Sequence, residues 1–212
     1  MQGKIVKYKD NKLYIIAEYD NPQKFYKCEY KRVNIELLDN RSISRKQRQA
    51  IYALLGDIAE YTGYEVEDLK QLMKCWFLAD RGGKEFSLSD VDMTTAWYFT
   101  DFLIDYCIEN NVPCHESLSK YPKDIERYVY KCLLHKICCI SGRKCELHHI
   151  DAVGMGRNRN EITHIGMRAM PLAPKYHIEV HNIGLKAFEK KYHVCGVKID
   201  ERIASVYSQI KK

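Results

Sequence analysis

A chain of 212 residues can bury a substantial core as one large domain or two small ones. With 46% hydrophobic and 29% charged residues, extensive disorder and fibrous structure are excluded. No run approaches the ~18 apolar residues of a membrane helix, and a net charge of +6 permits a polyanionic partner without requiring one.

The charge is unevenly spread. Residues 1–40 carry 8 Lys+Arg against 6 Asp+Glu, residues 41–120 carry 9 against 13, and residues 121–212 carry 17 against 9. All eight histidines fall between His115 and His193. The start MQGKIVKYKD has no apolar run behind its lysines and does not read as a secretory signal. Nine cysteines without such a signal point to a reducing compartment and to thiols or metal ligands rather than disulfides.

In chain order, KIVKYK and KLYIIAEY flank Asp10-Asn11, a hairpin pattern. RVNIELL alternates and predicts a third strand. Over 44–61 the period changes: Ile51, Leu54, Leu55 and Ile58 predict a helix that stops at Gly63. A second helix is expected over 65–79, before Arg81-Gly82-Gly83. A third is expected from Ser89, with Asp92 completing a capping pattern and Met93, Trp97, Ile104 and Ile108 on one face. SLSKYP reads as a linker into a helix at 123–136.

The chemistry is concentrated in CCISGRKCELHHIDAVGMGRNRNEITHIGMRAMPLAPKYHIEVHNIGLKAFEKKY. KCELHHI reads as a short strand ending in His148 and His149. A Gly- and Arg-rich loop follows, and then Pro174 opens a helix carrying His177 and His181. Four residues apart on a helix, His177 and His181 face one side and can share a metal ion. Adjacent strand residues face opposite ways, so one of His148 and His149 can complete that site while the other stays free as a general base.

These residues resemble the HNH (ββα-metal) endonucleases, and within them the phage NinG/Rap-like or the HNHc nuclease subgroup. ELHHI, the GMG loop, MPLAPKYH and HNIGLKAFEKKY carry the resemblance over about 138–195. It implies His148, His177 and His181 as ligands of a divalent ion (Mg²⁺, Mn²⁺, Zn²⁺ or Ni²⁺) and His149 as the base that activates water. The family's middle residue is usually an Asn that holds the base, whereas counting back from His177 lands on Arg168. Asn158, Asn160 or His164 can take the part instead, and Arg157, Arg159 and Arg168 can hold phosphates. On this resemblance the candidate catalytic residues are His149, Arg168 and Asn160, with Asn158 and His164 open as alternatives to Asn160. The family's two CxxC zinc knuckles are missing. Cys138 or Cys139 with Cys145 and Cys195 leaves an atypical zinc site open, while buried thiols are the preferred reading.

The segments ISRKQRQAIYALLGDIAEYTGYEVEDLKQLMKCWFLADRG and FSLSDVDMTTAWYFTDFLIDYCIENNVPC resemble the NinB (Orf) phage recombination mediators over about 40–115. That implies single-stranded DNA binding and a homodimer. Candidate contacts are Lys27, Lys31, Arg32, Arg45, Lys46, Arg48, Arg81 and Lys84, with Tyr26, Tyr30 and Trp76 available to stack on bases.

Together these features predict an α+β protein. A mixed α/β DNA-binding domain over 1–118 precedes a ββα-metal HNH domain over 119–212. The expected function is a metal-dependent endonuclease of a phage or prophage recombination module, located in the bacterial host cytoplasm. It would act on branched or single-stranded DNA, with a single-stranded-DNA-binding protein or recombinase among its partners and no membrane. The alternatives are a duplex-cutting packaging or restriction nuclease and a non-catalytic DNA-binding module with a structural metal.

Overall fold

The computed structural model describes residues 3–28, 30, 32–35, 37–151 and 164–207. It is a mixed α/β structure of two compact units, Met1–Leu38 and Asp39–Lys212.

In the first unit, β1 (Gly3–Lys9) and β2 (Lys12–Ala17) pair antiparallel. Asp10 and Asn11 have φ of 51° and 58°. Two successive left-handed residues make the tight hairpin turn whose twist suits the strands, and short polar side chains tolerate it best. α1 (Pro22–Lys27) is capped by Asn21, whose side chain accepts from the Lys24 amide at 3.0 Å. The third strand expected at RVNIELL does not form. Residues 32–35 and 37–38 pair with no strand, and Val33, Ile35, Leu37 and Leu38 are all exposed. Alternation makes a strand only where a ladder and a buried face are available to use it.

In the second unit, α2 (Arg45–Thr62) begins with a capping box. The Ser44 hydroxyl accepts from the Gln47 amide while the Gln47 side chain accepts from the Ser44 amide. It ends at Gly63, whose φ of 80° only glycine adopts without strain and whose amide bonds Ala59 O at 2.8 Å. α3 (Val66–Arg81) stops at Gly82. α4 (Met93–Glu109) starts later than Ser89: Asp92 is its cap, accepting from the Thr95 amide at 2.9 Å, while Ser87–Val91 form a turn. The Asp92 carboxylate also suits the positive end of the helix dipole. The buried face of α4 is Ala96, Phe99, Leu103, Ile104, Cys107 and Ile108, so Met93 and Trp97 lie at its margin.

α5 (Ile125–Leu134) packs against β4 (Arg168–Leu172), the central strand of the antiparallel sheet β3-β4-β5, with β3 at Glu146–His149 and β5 at Val197–Lys198. α6 (Pro174–Ile183), α7 (Leu185–Tyr192) and α8 (Glu201–Val206) complete the unit.

The division expected at 118/119 falls inside this second unit. One core cluster runs from Ile43 to Tyr207 and includes Leu103 and Ile104 with Val129 and Leu133. Arg127 on α5 also pairs with Asp101 and Asp105 on α4. No helix among the described residues is long and apolar enough to cross a membrane.

Candidate metal centre and catalytic histidine

β3 and α6 carry the site, and both are held by the core beneath them. β3 pairs along its whole length with β4, setting His148 opposite Met170 and His149 opposite Ala169. Pro174 starts α6 at a position where its missing amide costs nothing. Buried Val180 anchors α6, and Gly184 turns the chain so that α7 folds back on it with Phe188 fully buried. Glu179 of α6 accepts from Lys191 Nζ at 2.5 Å and from the Tyr192 hydroxyl at 2.9 and 3.1 Å. Through these bonds HNIGLKAFEKKY ties α6 to α7.

His177 and His181 stand one turn apart with ring centroids 5.2 Å from each other. The His148 ring lies 4.9 Å from His177 and 5.1 Å from His181. One nitrogen from each of the three lies within 4.8 Å of the other two. Three convergent imidazoles suit a divalent ion. His148 is buried and His181 exposed, so the cluster is open on one side. Burial, and then the neighbouring imidazoles, pull His148 down to about 4. It is therefore neutral at neutral pH, the form that can ligate.

Glu146 is a residue that sequence reasoning overlooked. Its carboxylate meets His177 Nδ1 at 2.9 Å. A carboxylate on one ring nitrogen orients the imidazole and leaves the other for a metal. The signal was present: Glu146 and His148 are two apart on one strand and share a face.

His149 takes the other face of β3. Its Nε2 lies 2.9 Å from His164 Nδ1, with the ring centroids 4.8 Å apart. Burial, and then the proximity of His164, lower its pKa and favour the neutral ring. Of the three residues that could replace the missing Asn, His164 is the one beside His149 among the described residues. Asn158 and Asn160 lie outside the described residues, as do Arg157 and Arg159.

Arg168 reaches Asp151 rather than His149. Its guanidinium meets Asp151 Oδ1 at 2.9 and 3.2 Å, and its amide donates to Oδ2 at 2.7 Å. These bonds hold the Asp151 carboxyl below its ordinary value. The pair ties Asp151, just past β3, to Arg168 at the start of β4.

Cys138 and Cys139 are buried thiols at a tight turn. The Ile140 and Ser141 amides each point at Cys138 Sγ at 3.5 Å, and the Cys139 amide donates to Pro171 O at 3.1 Å. Burial raises the Cys139 thiol far above its ordinary value. Among the described residues, the histidine triad is the one cluster able to hold a metal.

The expected front-half contacts are dispersed. Arg45, Lys46 and Lys84 are exposed, while Arg48 is half-buried and donates to Ser89 O at 2.5 Å. The Arg81 guanidinium lies 3.7 Å from the centre of the Tyr98 ring, and Trp76 lies 6.1 Å from Tyr106. In the first unit Lys27, Arg32, Tyr26 and Tyr30 are exposed, and Lys31 lies outside the described residues.

No curated protein and no solved structure matches the chain. A family model does, over residues 23–209, and its description is "Putative HNHc nuclease". That match spans α2 to α8 and includes all four site histidines of β3 and α6. The chain belongs to the HNHc nuclease family.

Proposed function

We propose that this protein is a metal-dependent DNA endonuclease in which His149 is the general base and His148, His177 and His181 hold one divalent ion. The observation that carries the reading is the division across β3: three imidazoles converge on one face, and a fourth sits on the other with His164 behind it.

An ion held by the triad supplies positive charge against a phosphate oxygen and the leaving oxygen. An all-imidazole set suits Zn²⁺, Mn²⁺ or Ni²⁺, and Mg²⁺ is compatible with added water and phosphate oxygens. With the His149 proton on Nε2 and donated to His164 Nδ1, the Nδ1 lone pair of His149 is left to act. It takes a proton from water as the water oxygen attacks phosphorus in line. The bond from phosphorus to the 3′ oxygen breaks, and that oxygen leaves. His164 is thus the positioning residue that stands in for the family's Asn. Arg168, braced by Asp151, holds backbone phosphates together with Arg157 and Arg159, and Asn160 is a further contact.

The setting we propose is phage or prophage recombination, with branched or single-stranded DNA as substrate and a homodimer as the working form. The resemblances over 40–115 and 138–195 support it.

The test is metal-dependent nicking of branched, single-stranded and duplex DNA by wild type and His149→Ala. The expected result is strongest cutting of branched DNA and a loss of about 10²–10⁴-fold in the variant, with metal binding and folding retained. Equal cutting of duplex would favour a packaging or restriction role. Undiminished cutting by His149→Ala would overturn the base assignment, and no metal-dependent cutting by the wild type, with folding lost in His177→Ala, would leave only a structural metal.

A further inference from the structure

The β1–β2 hairpin has two unlike faces, and its irregularity creates them. Ile5 pairs with Ile15 and Lys7 with Tyr14, so Val6 is an extra residue, a β-bulge. In a regular strand Lys4 and Lys7 are three apart and point to opposite sides. The bulge reverses that parity. Because Lys4 pairs with Ile16, Lys7 with Tyr14 and Lys9 with Lys12, all four lysines share one face with Tyr14 and Ile16. The opposite face carries Ile5, Tyr8, Leu13 and Ile15.

Every β1 residue is exposed, as are Lys12 and Tyr14. The hairpin contains one acidic residue, Asp10, and it sits in the turn. Lys9 sits directly opposite Lys12, and like charges so paired repel, a repulsion that a bound anion relieves. A duplex groove admits such a ribbon, and lysine is a compact point charge suited to phosphate.

We infer that the β1–β2 hairpin is a nucleic-acid docking ribbon, whose Lys4, Lys7, Lys9 and Lys12 face binds DNA backbone phosphates. The inference rests on the proposed nuclease function only in taking DNA as the polyanion. Its contacts are with phosphates, so it adds affinity and placement on the strand rather than base specificity. Tyr14 lies among the lysines, where its ring can rest on sugar or base.

The experiment uses the full chain with chelator present, so that nothing is cut. Binding of fluorescein-labelled 30-base-pair duplex and 30-mer single strand is followed by anisotropy across a salt series. Lys4→Gln, Lys7→Gln, Lys9→Gln and Lys12→Gln are combined in one variant, and the same four positions are changed to Arg in a second. For the Gln variant the slope of log affinity against log salt is expected to flatten by roughly 3 to 4 on duplex. The dissociation constant at ~0.1 M salt is expected to rise about tenfold or more. The Arg variant is expected to bind as wild type does, and both to keep the wild-type melting temperature.

An unchanged slope in the Gln variant overturns the inference and leaves the lysines as guards against strand-edge aggregation. An unchanged slope with a changed oligomeric mass by light scattering overturns it in favour of a subunit contact. Failure here is distinct from failure of the nuclease reading. A chain that nicks DNA with an unaltered salt slope keeps the nuclease function and loses the ribbon. A chain that binds through the ribbon but never nicks does the reverse.

Discussion

The hairpin of residues 3–17 and the sheet β3-β4-β5 are both small antiparallel structures, and they differ in what lies behind them. Behind β4 stand α5 and α6, and Ala169, Met170 and Leu172 are fully buried. In the hairpin Ile5, Val6, Tyr8, Leu13, Tyr14 and Ile16 all remain exposed. A lone two-stranded hairpin is marginal in water, so its order depends on turn geometry and on what it meets. A strand packed against helices holds its side chains in fixed positions. Metal ligands and a general base need that fixity, whereas a phosphate-contacting surface tolerates its absence.

The sharpest way to break the contrast is to remove a side chain under the site. Phe188→Ala deletes a fully buried ring beneath α6 and is expected to cost about 3–5 kcal/mol in chemical denaturation. A cost below about 1 kcal/mol would mean that the core does not support the site as described.

Next is metal-linked stability. A metal at a hundred times its dissociation constant adds about 2.7 kcal/mol to the folded state, and His181→Ala is expected to abolish that gain in thermal shift. A full shift retained in His181→Ala would show that the metal binds elsewhere.

Glu146→Gln probes the residue behind His177. Weakening an outer carboxylate is expected to lower metal affinity about 10–100-fold by calorimetry, with folding intact.

His115→Gln tests a tie within the second unit and carries a pH signature. The His115 amide and Nδ1 reach the buried Asp57 carboxylate at 3.3 and 2.6 Å. That hydrogen bond, and then the Asp57 and Glu60 charges, raise His115 above its ordinary 6.5. A raised folded pKa stabilises fully below the unfolded value and fades as pH rises through the folded value. The substitution is therefore expected to lower the melting temperature near pH ~5.5 and to do little near pH ~9. A deficit of equal size at both values would remove the charge interpretation.

The smallest expected effect is in the hairpin. Ile16 is 65% exposed, and Ile16→Ala is expected to change global stability by less than about 0.5 kcal/mol. A loss several times larger would show that its face is covered in solution.

Much of the second unit was legible in local chemistry. The period of Ile51, Leu54, Leu55 and Ile58, the stop at Gly63 and the HxxxH pair on α6 each need only a few neighbouring residues to be read. The turn at Asp10-Asn11 is equally local. The third strand was misjudged because RVNIELL has the alternation of a strand without a partner, and pairing is not a property of one segment. The division expected at 118/119 likewise came from composition along the chain. The Arg127 pairs with Asp101 and Asp105, and a core shared by α4 and α5, join residues that composition separates.

What the sequence by itself determined is the donor chemistry: adjacent histidines on a strand, two more at helical spacing, and the alternation that sends His148 and His149 apart. Tertiary structure decided which of that pair joins the helix histidines. It also brought Glu146 to His177 across 31 residues and His164 to His149 across 15. The physical reason is one of range. Backbone periodicity sets where a side chain points, but only packing of β3 against β4 and α6 sets what it meets there.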